Sequence, residues 1–277
     1  MRPAVAIACA LCLVSAAHPM QAAEAPRRAF AGGPFVLMSD GADQEAIGRR
    51  ILQLAGGDRA RLVIVPAASE APGTVGKTYQ TYFKRLGARD VQVVIPTGEP
   101  SAAQAATFHQ ATGFFLPGGD PRKILKTLSK PSWQGALQGA WRRGAVIAGM
   151  GSGAMVWGDL AILGNEKATF HPMLGAGFGL LESAVVDAHF TDRGGFGRLV
   201  EATVHRSPVL GIGLEPKTAL VVTPDGRAEV SGQGTVTLVR PMGRPAATKP
   251  LSIADVRVRI LAPGEQAELL GEAVFGI

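Results

Sequence analysis

The sequence predicts an α/β fold, in which a mostly parallel sheet is flanked by helices and followed by a C-terminal β extension. Between residues 35 and 148, short continuous apolar runs alternate with segments of helical spacing. Such runs are typical of parallel strands that are covered on both faces. From residue 209 the pattern changes to strands with few helices between them, which indicates antiparallel strands added to the same sheet or a small β layer.

The alternating region divides into five strands and five helices. The predicted strands are residues 35–38, 61–65, 91–95, 113–116 and 145–148, and the predicted helices are residues 45–55, 77–86, 102–110, 121–128 and 133–143. The later strands are residues 209–213, 219–222, 228–230, 235–239 and 256–261. No repeat, long linker or low-complexity segment interrupts the pattern, so we predict a single domain over residues 30–277.

The first 23 residues have the pattern of a secretory signal peptide. Arg2 precedes an apolar run over residues 4–17, and the small residues Ala22 and Ala23 follow it. This order of basic, apolar and small residues predicts cleavage near Ala23 and export to a periplasmic or extracellular location. The apolar run is shorter than the ~20 residues of a membrane span, so no stable membrane anchor is expected after cleavage.

Cysteine and charge content exclude several classes of function. Cys9 and Cys12 both lie in the predicted leader, so the mature chain has no disulfide, thiol nucleophile or thiolate metal site. The net charge is +6, but the basic residues are scattered in short clusters and form no stripe that would suit nucleic acid.

A glycine-rich turn follows the predicted strand at residues 145–148. It reads Gly149-Met150-Gly151-Ser152-Gly153 and leads into an apolar stretch of helical character. A nucleophile elbow needs such a turn, because small neighbours allow the backbone to bend sharply beneath an exposed serine. Backbone N–H groups at the start of the helix then favour an oxyanion. Alternatively, Ser152 is an ordinary helix cap.

Two further segments carry residues suited to acyl transfer. A strand ends in Asp187-Ala188-His189, and because alternate residues of a strand face the same side, Asp187 and His189 are expected to point together. Another apolar run ends at Glu215. A serine, a general base and an orienting carboxylate suffice for acyl transfer. The alternatives are a structural histidine and a surface turn carboxylate, and the order Ser, His, Glu disfavours an ordinary α/β-hydrolase esterase.

Taken together, these segments resemble cyanophycinase and the related aspartyl dipeptidases. This serine-peptidase family has a class I glutamine-amidotransferase-like, flavodoxin-like fold, and the resemblance runs from about residue 35 to residue 222. The segments that carry it are residues 61–69, 82–88, 114–120, 187–199 and 213–220. The most specific is Asp-Ala-His-Phe-Thr-Asp-Arg-Gly-Gly-Phe-Gly-Arg-Leu at residues 187–199, which is similar to the family's Asp-Gln-His-Phe-x-x-Arg-x-Arg-x-Gly-Arg-Leu.

The resemblance implies a role for each matching residue. It implies a catalytic triad of Ser152, His189 and Glu215, with His189 as general base and Glu215 as its orienter. The remaining site residues are expected to donate to the oxyanion, bind substrate or fix the loop. They are Gly118, Gly119, Asp120, Gly151, Gly153, Asp187, Arg193 and Arg198, the two arginines being suited to a substrate carboxylate.

The chain departs from the family pattern at the nucleophile. The family elbow reads Gly-Thr-Ser-Ala-Gly-Ala, so Gly151 stands at the nucleophile's position and Ser152 follows it. Either the backbone shifts its register to present Ser152, or the serine mechanism is lost. Pro121, Ala188 and Gly195 replace two glutamines and an arginine of the family, so recognition of cyanophycin itself is not expected.

Two functional hypotheses therefore stay open. One is a cyanophycinase-like serine-type exopeptidase or amide hydrolase that acts on small peptides or isopeptides. The other is a catalytically inactive family member that binds a small peptide or an amino acid. The expected partners are this ligand and, if the chain self-associates, a second copy in a homodimer.

No cofactor or metal is expected. A glutamine amidotransferase is disfavoured because the mature chain lacks the cysteine nucleophile. A metal hydrolase is disfavoured because the histidines show no close ligand spacing; they are His109, His171, His189 and His205.

Overall fold

The computed structural model describes residues 30–40, 44–166, 171–191, 194–205, 209–242, 253, 255–270 and 272–275. The signal peptide predicted over residues 1–23 lies outside these ranges and stays a prediction. No helix in the described ranges combines the length and apolar character that crossing a membrane requires.

The described residues form seven α-helices and fourteen strands. The helices are α1 (Gln44–Leu54), α2 (Pro72–Arg85), α3 (Ala102–Gln110), α4 (Pro121–Leu128), α5 (Pro131–Arg142), α6 (Ser152–Met155) and α7 (Gly195–His205). The strands are β1 (Phe35–Met38), β2 (Arg61–Ile64), β3 (Asp90–Val93), β4 (Gly113–Leu116), β5 (Val146–Met150), β6 (Gly158–Asn165), β7 (Pro172–Ala176), β8 (Leu181–Ala188), β9 (Leu210–Leu214), β10 (Thr218–Val222), β11 (Arg227–Gly232), β12 (Val236–Met242), β13 (Asp255–Leu261) and β14 (Gln266–Glu268).

The strands form two sheets. The first has eight strands in the order β14-β11-β10-β1-β5-β4-β2-β3, and the second has six in the order β13-β12-β9-β8-β6-β7. In the first sheet β1, β5, β4, β2 and β3 run parallel, while β10, β11 and β14 extend its β1 edge antiparallel. In the second sheet β6, β8 and β9 are parallel and the outer strands are antiparallel.

The predicted α/β fold is confirmed: the first sheet is mostly parallel, and C-terminal strands extend it antiparallel, while the remaining strands form the second sheet. Antiparallel pairs are as numerous as parallel pairs among the described strands. The predicted C-terminal extension divides between the sheets, since β10 and β11 join the first and β9, β12 and β13 join the second. Strands β6 and β7 were not predicted, and they give the second sheet its far edge.

Both faces of the central strands of the first sheet, such as β1, β4 and β10, are buried. On β1, Phe35 and Leu37 point into one hydrophobic cluster with residues of α3, α5 and the second sheet. Val36 and Met38 point into another cluster with residues of α1 and α2. A third cluster packs α7 against the second sheet. Continuous apolar strands are expected where both faces are covered, which explains why these runs were recognisable in the sequence.

The turn after β5 is held by close backbone packing. A β-carbon on Gly153 would overlap the carbonyl oxygen of Leu116 at the end of β4, and one on Gly149 would overlap the carbonyl oxygen of Gly153. Glycine at these two positions therefore lets β5 and α6 approach each other and β4 closely. The segment that follows β5 is fixed by main-chain contacts rather than by side chains.

Replacing Gly153 by alanine is expected to destabilise the fold by about 1–3 kcal/mol or more, because the added methyl group meets backbone atoms that cannot move aside. The matched control is Gly135→Ala in α5, where a β-carbon would meet nothing within 4 Å. That variant should gain roughly 1 kcal/mol from helix propensity. Urea unfolding measures both changes, and equal stability of the two variants would contradict the packing argument.

Candidate active site

A cleft of about 770 Å³ lies where the parallel strands of the first sheet end. The residues that follow β1, β2, β4 and β5 line it, together with residues at the ends of β6 and β8 from the second sheet. Ligands of open α/β sheets bind at this edge, because the carboxyl ends of parallel strands leave a crevice there. The cleft is thus built between the two sheets, with contributions from both.

Gly151 occupies the sharp turn between β5 and α6. Its backbone has φ 54° and ψ −121°, a combination that residues with a side chain adopt only under strain. Its N–H donates to the carbonyl oxygen of Met38, at 2.8 Å. A β-carbon built on Gly151 would face His189 Nε2 at 3.6 Å and the Gly118 α-carbon at 3.7 Å. Gly151 therefore holds the position from which a nucleophile would meet the base.

The side chain of Ser152 does not point toward His189. Ser152 is the first residue of α6, and its Oγ donates to the carbonyl oxygen of Gly119 at 2.5 Å. In the described part of the chain no hydrogen bond joins Ser152 to His189. Successive side chains on a helix diverge by about 100°, so the residue after the turn faces the Gly118–Gly119 loop. The prediction that Ser152 presents its hydroxyl to His189 is not supported by this geometry.

His189 lies just beyond the end of β8 and enters the cleft through an unusual backbone conformation. Its φ is +60°, and its N–H donates to Ser39 Oγ at 3.3 Å. The imidazole is largely buried, and its Nδ1 lies 2.8 Å from Asp40 Oδ1. Because the left-handed φ rotates His189 out of the strand pattern, the expectation that Asp187 and His189 share one face was wrong.

Glu215 does not orient His189. Its Oε2 accepts a hydrogen bond from the backbone N–H of Thr235 at 3.1 Å, and it is not among the residues that line the cleft. No hydrogen bond connects it to His189 within the described ranges. The predicted triad is therefore not assembled, because its serine and its carboxylate are both engaged by backbone groups.

Asp40 stands where the orienting acid was expected, and the sequence reasoning missed it. It follows β1 directly, at the same edge of the sheet as the other cleft residues. The signal was available, since a polar pair, Ser39-Asp40, comes immediately after a buried apolar strand. That pair belongs to no motif noted in the sequence, and the resemblance implied Glu215 as the acid that orients His189.

Asp187 and Arg198 form a buried ion pair at the cleft, which Arg198 lines and Asp187 does not. Arg198 Nε donates to Asp187 Oδ2 at 2.8 Å and Arg198 Nη2 to Asp187 Oδ1 at 2.6 Å, while Nη1 donates to Asn165 Oδ1 at 3.3 Å. The Asp187 side chain is 0% exposed and that of Arg198 is 7% exposed. These bonds engage three of the five guanidinium N–H groups, which fits the predicted loop-fixing role, while Arg198 also lines the cleft. Arg193 lies outside the described residues.

The loop after β4 forms the opposite wall of the cleft. The Asp120 carboxylate caps α4 by accepting from the Arg122 N–H at 2.9 Å. It also accepts from the Arg122 guanidinium, whose hydrogen bonds hold the pKa of Asp120 below its usual range. In the part of the chain that is described, the backbone N–H groups of Gly118, Gly119 and Ser152 donate to no protein acceptor. They are candidate oxyanion donors around Gly151.

Tyr79 is a second cleft residue that the sequence reasoning did not single out. Its hydroxyl donates to Met150 Sδ at 3.5 Å, next to the elbow. Burial, and to a lesser degree the charge of Asp40, raises the pKa of Tyr79. The phenol therefore stays protonated and adds a polar group to the wall of the cleft that Asp40 also lines.

Comparison with known proteins relates this chain to a sequence family. The model of peptidase family S51 matches residues 35–230. The cyanophycinase of Trichormus variabilis is 31% identical over 259 residues, covering 87% of each chain. The cyanophycinase of Synechococcus elongatus is 30% identical over 250 residues, covering 83% of this chain and 78% of its own.

Two solved structures share the fold. A peptidase from an acI-B1 Actinobacterium superposes with a TM-score of 0.67 at 19% identity, covering 87% of this chain and 98% of its own. A putative peptidase E protein from Listeria monocytogenes gives a TM-score of 0.51 at 11% identity, covering 73% of this chain and all of its own. At these identities the likeness concerns the architecture alone.

The buried ion pair between Asp187 and Arg198 provides a stability test. Asp187→Ala leaves the Arg198 guanidinium buried without its carboxylate, so we expect a loss of about 3–5 kcal/mol of unfolding free energy. The control is Glu45→Gln, which weakens the exposed Arg49–Glu45 pair and should change the unfolding free energy far less, because solvent screens exposed ion pairs. Denaturant unfolding compares the two, and a small effect for Asp187→Ala would show that the pair does not anchor α7.

Proposed function

This chain belongs to peptidase family S51, a family of serine-type peptidases, and from that premise we propose that it hydrolyses an amide bond of a small peptide or isopeptide with a water molecule that His189 activates. The observation that carries the proposal is the direction of position 151, whose β-carbon would face His189 Nε2 at 3.6 Å. Because Gly151 has no side chain, the place of the nucleophile is open to water.

The imidazole is suited to act as the base. A carboxylate only accepts hydrogen bonds, so the contact of 2.8 Å between His189 Nδ1 and Asp40 places the proton on Nδ1 when the ring is neutral. The lone pair then lies on Nε2, the atom that faces Gly151. A general base needs this arrangement, with its free nitrogen within reach of the proton that it removes.

The proposed step needs no covalent intermediate. Water attacks the carbonyl carbon while Nε2 takes one of its protons, and the carbonyl oxygen becomes an oxyanion near the N–H groups of Gly118, Gly119 and Ser152. The C–N bond then breaks as the imidazolium returns the proton to the leaving amine, which yields a carboxylic acid and an amine. Oxyanion donors and binding alone retain about 10³–10⁴-fold acceleration when a triad member is removed, so this route is slow but measurable.

The cleft favours a short substrate. A volume of about 770 Å³ is in the range of small-molecule sites. Pro121 and Ala188 line it where the family has glutamines, so two polar contacts of that family are replaced by apolar ones. The leader predicted over residues 1–23 makes a peptide outside the cytoplasm the expected substrate.

Turnover of dipeptides and β-aspartyl isopeptides, followed by release of free amine, tests the mechanism. His189→Ala should lower the rate by about 10²–10⁴-fold, because the base is removed. Ser152→Ala should leave it within about threefold, because its hydroxyl contacts Gly119 rather than the reacting atoms. A fluorophosphonate should not label the wild-type protein, and labelling at Ser152 would overturn the proposal.

Gly151→Ser is expected to convert the site to covalent chemistry. The new hydroxyl would project from a β-carbon that faces His189 Nε2 at 3.6 Å, so fluorophosphonate labelling should appear at position 151. Gly151→Ala is the matched control, because it imposes the same backbone strain without the hydroxyl. Labelling should also disappear when His189→Ala is added to Gly151→Ser. If Gly151→Ser folds but stays unlabelled, position 151 does not face the base.

Binding without turnover is the second candidate, and the absent side chain of Gly151 is the observation that favours it. A protein of this kind would use the cleft to hold a small peptide or an amino acid. Calorimetry separates the two functions: heat of binding that saturates without release of amine supports the binding protein, whereas steady release of amine supports the hydrolase.

A further inference from the structure

We propose that Asp40 is the positioning residue of this site, and that it holds His189 in the tautomer and orientation in which Nε2 faces Gly151. The inference deepens the proposed function and rests on it for its rate measurement, while its structural content stands on contacts alone. Asp40 thereby takes the role that the family resemblance implies for Glu215.

The contact between Asp40 and His189 has the form that fixes a tautomer. Asp40 Oδ1 lies 2.8 Å from His189 Nδ1, a short contact between a carboxylate and a ring nitrogen. The hydrogen bond made by one ring nitrogen sets the protonation of the other. The carboxylate therefore stabilises the Nδ1–H form of the neutral ring, which leaves Nε2 as the acceptor on the side of Gly151.

The backbone holds Asp40 in place for this contact. The Asp40 carbonyl accepts from the N–H of Lys217 at 2.8 Å, and the N–H of Ser39 donates to the carbonyl of Thr218 at 2.9 Å. These bonds continue the antiparallel pairing of β1 with β10 beyond the last paired residues. Ser39 Oγ accepts from the His189 N–H at 3.3 Å, so two consecutive residues hold both the ring and the main chain of His189.

Glu215 makes a different set of contacts. Its carboxylate accepts from the Thr235 N–H, and its own N–H donates to the Thr235 carbonyl at 3.2 Å. These two contacts extend the pairing of β9 with β12 by one residue. Glu215 therefore secures the connection between two strands of the second sheet, while Asp40 reaches the imidazole from the first sheet.

The tautomer of His189 provides the direct test. Two-dimensional ¹⁵N–¹H spectra of histidine-labelled protein, recorded well above the ordinary imidazole pKa, distinguish the Nδ1–H from the Nε2–H form. The His189 signals are assigned by their loss in His189→Gln. We expect the Nδ1–H form in the wild-type protein and a shift to mainly Nε2–H, the form that free imidazole side chains prefer, in Asp40→Ala. Glu215→Gln should leave the His189 pattern unchanged.

The conservative variant separates positioning from folding. Asp40→Asn can still accept from Nδ1–H through its amide oxygen, so the Nδ1–H form should be retained at least in part. An unchanged tautomer in Asp40→Ala, or a switch in Glu215→Gln, overturns the inference. The remaining histidines report on folding, because their signals should not move in a correctly folded variant.

A rate measurement connects the tautomer to chemistry. In the Gly151→Ser background, adding Asp40→Ala should slow fluorophosphonate labelling at position 151 by about 10²–10⁴-fold, the range expected for loss of an effective base. Adding Glu215→Gln should slow it less than threefold. If the tautomer depends on Asp40 but labelling at position 151 never appears, the proposed function fails, whereas the role of Asp40 in holding the ring stands. If labelling appears at the same rate with and without the Asp40 carboxylate, the role of Asp40 is overturned.

Discussion

The site depends on one backbone constraint, the sharp turn at Gly151 between β5 and α6. Main-chain contacts hold it: the Gly151 N–H donates to Met38 at the end of β1, and the backbones at Gly149, Gly153 and Leu116 meet without intervening side chains. Since these contacts leave no freedom to shift by one residue, position 151 faces the imidazole and position 152 faces the loop after β4. The register of this turn decides which atoms can react.

The cleft also depends on how the two sheets pack, because its base and its positioning acid come from different sheets. His189 follows β8 of the second sheet and Asp40 follows β1 of the first. One hydrophobic cluster contains Leu37 of β1 and Val186 of β8, along with residues of α3 and α5. Burial of such apolar surface is the main stabilising contribution in a domain of this kind. The distance between the imidazole and the carboxylate is therefore set by core packing as well as by their own attraction.

The sequence predicted the elements that apolar periodicity controls and missed those that tertiary packing controls. Helix α3 and strand β4 were predicted at their observed bounds, and the departure of Gly151 from the family elbow was visible before the structure. The edge strand β7 was not predicted, since its exposed residues carry no strong pattern. The positive φ of His189 has no local sequence signal, so its separation from Asp187 was not foreseeable. The role of Asp40 was not predictable, because it depends on which loop lies beside His189, and only the order of strands in the sheets determines that.

Glycine at position 151 also affects how many destabilising substitutions this chain can tolerate. A residue with a side chain at φ 54° and ψ −121° has on the order of 1–3 kcal/mol of conformational strain. A serine at the turn of an elbow with this shape would destabilise the folded state by that amount. With glycine this strain is absent, so the folded state gains a margin that is a sizeable fraction of the usual net stability of about 5–15 kcal/mol. Such a margin lets a protein accumulate destabilising substitutions that a strained relative would not survive.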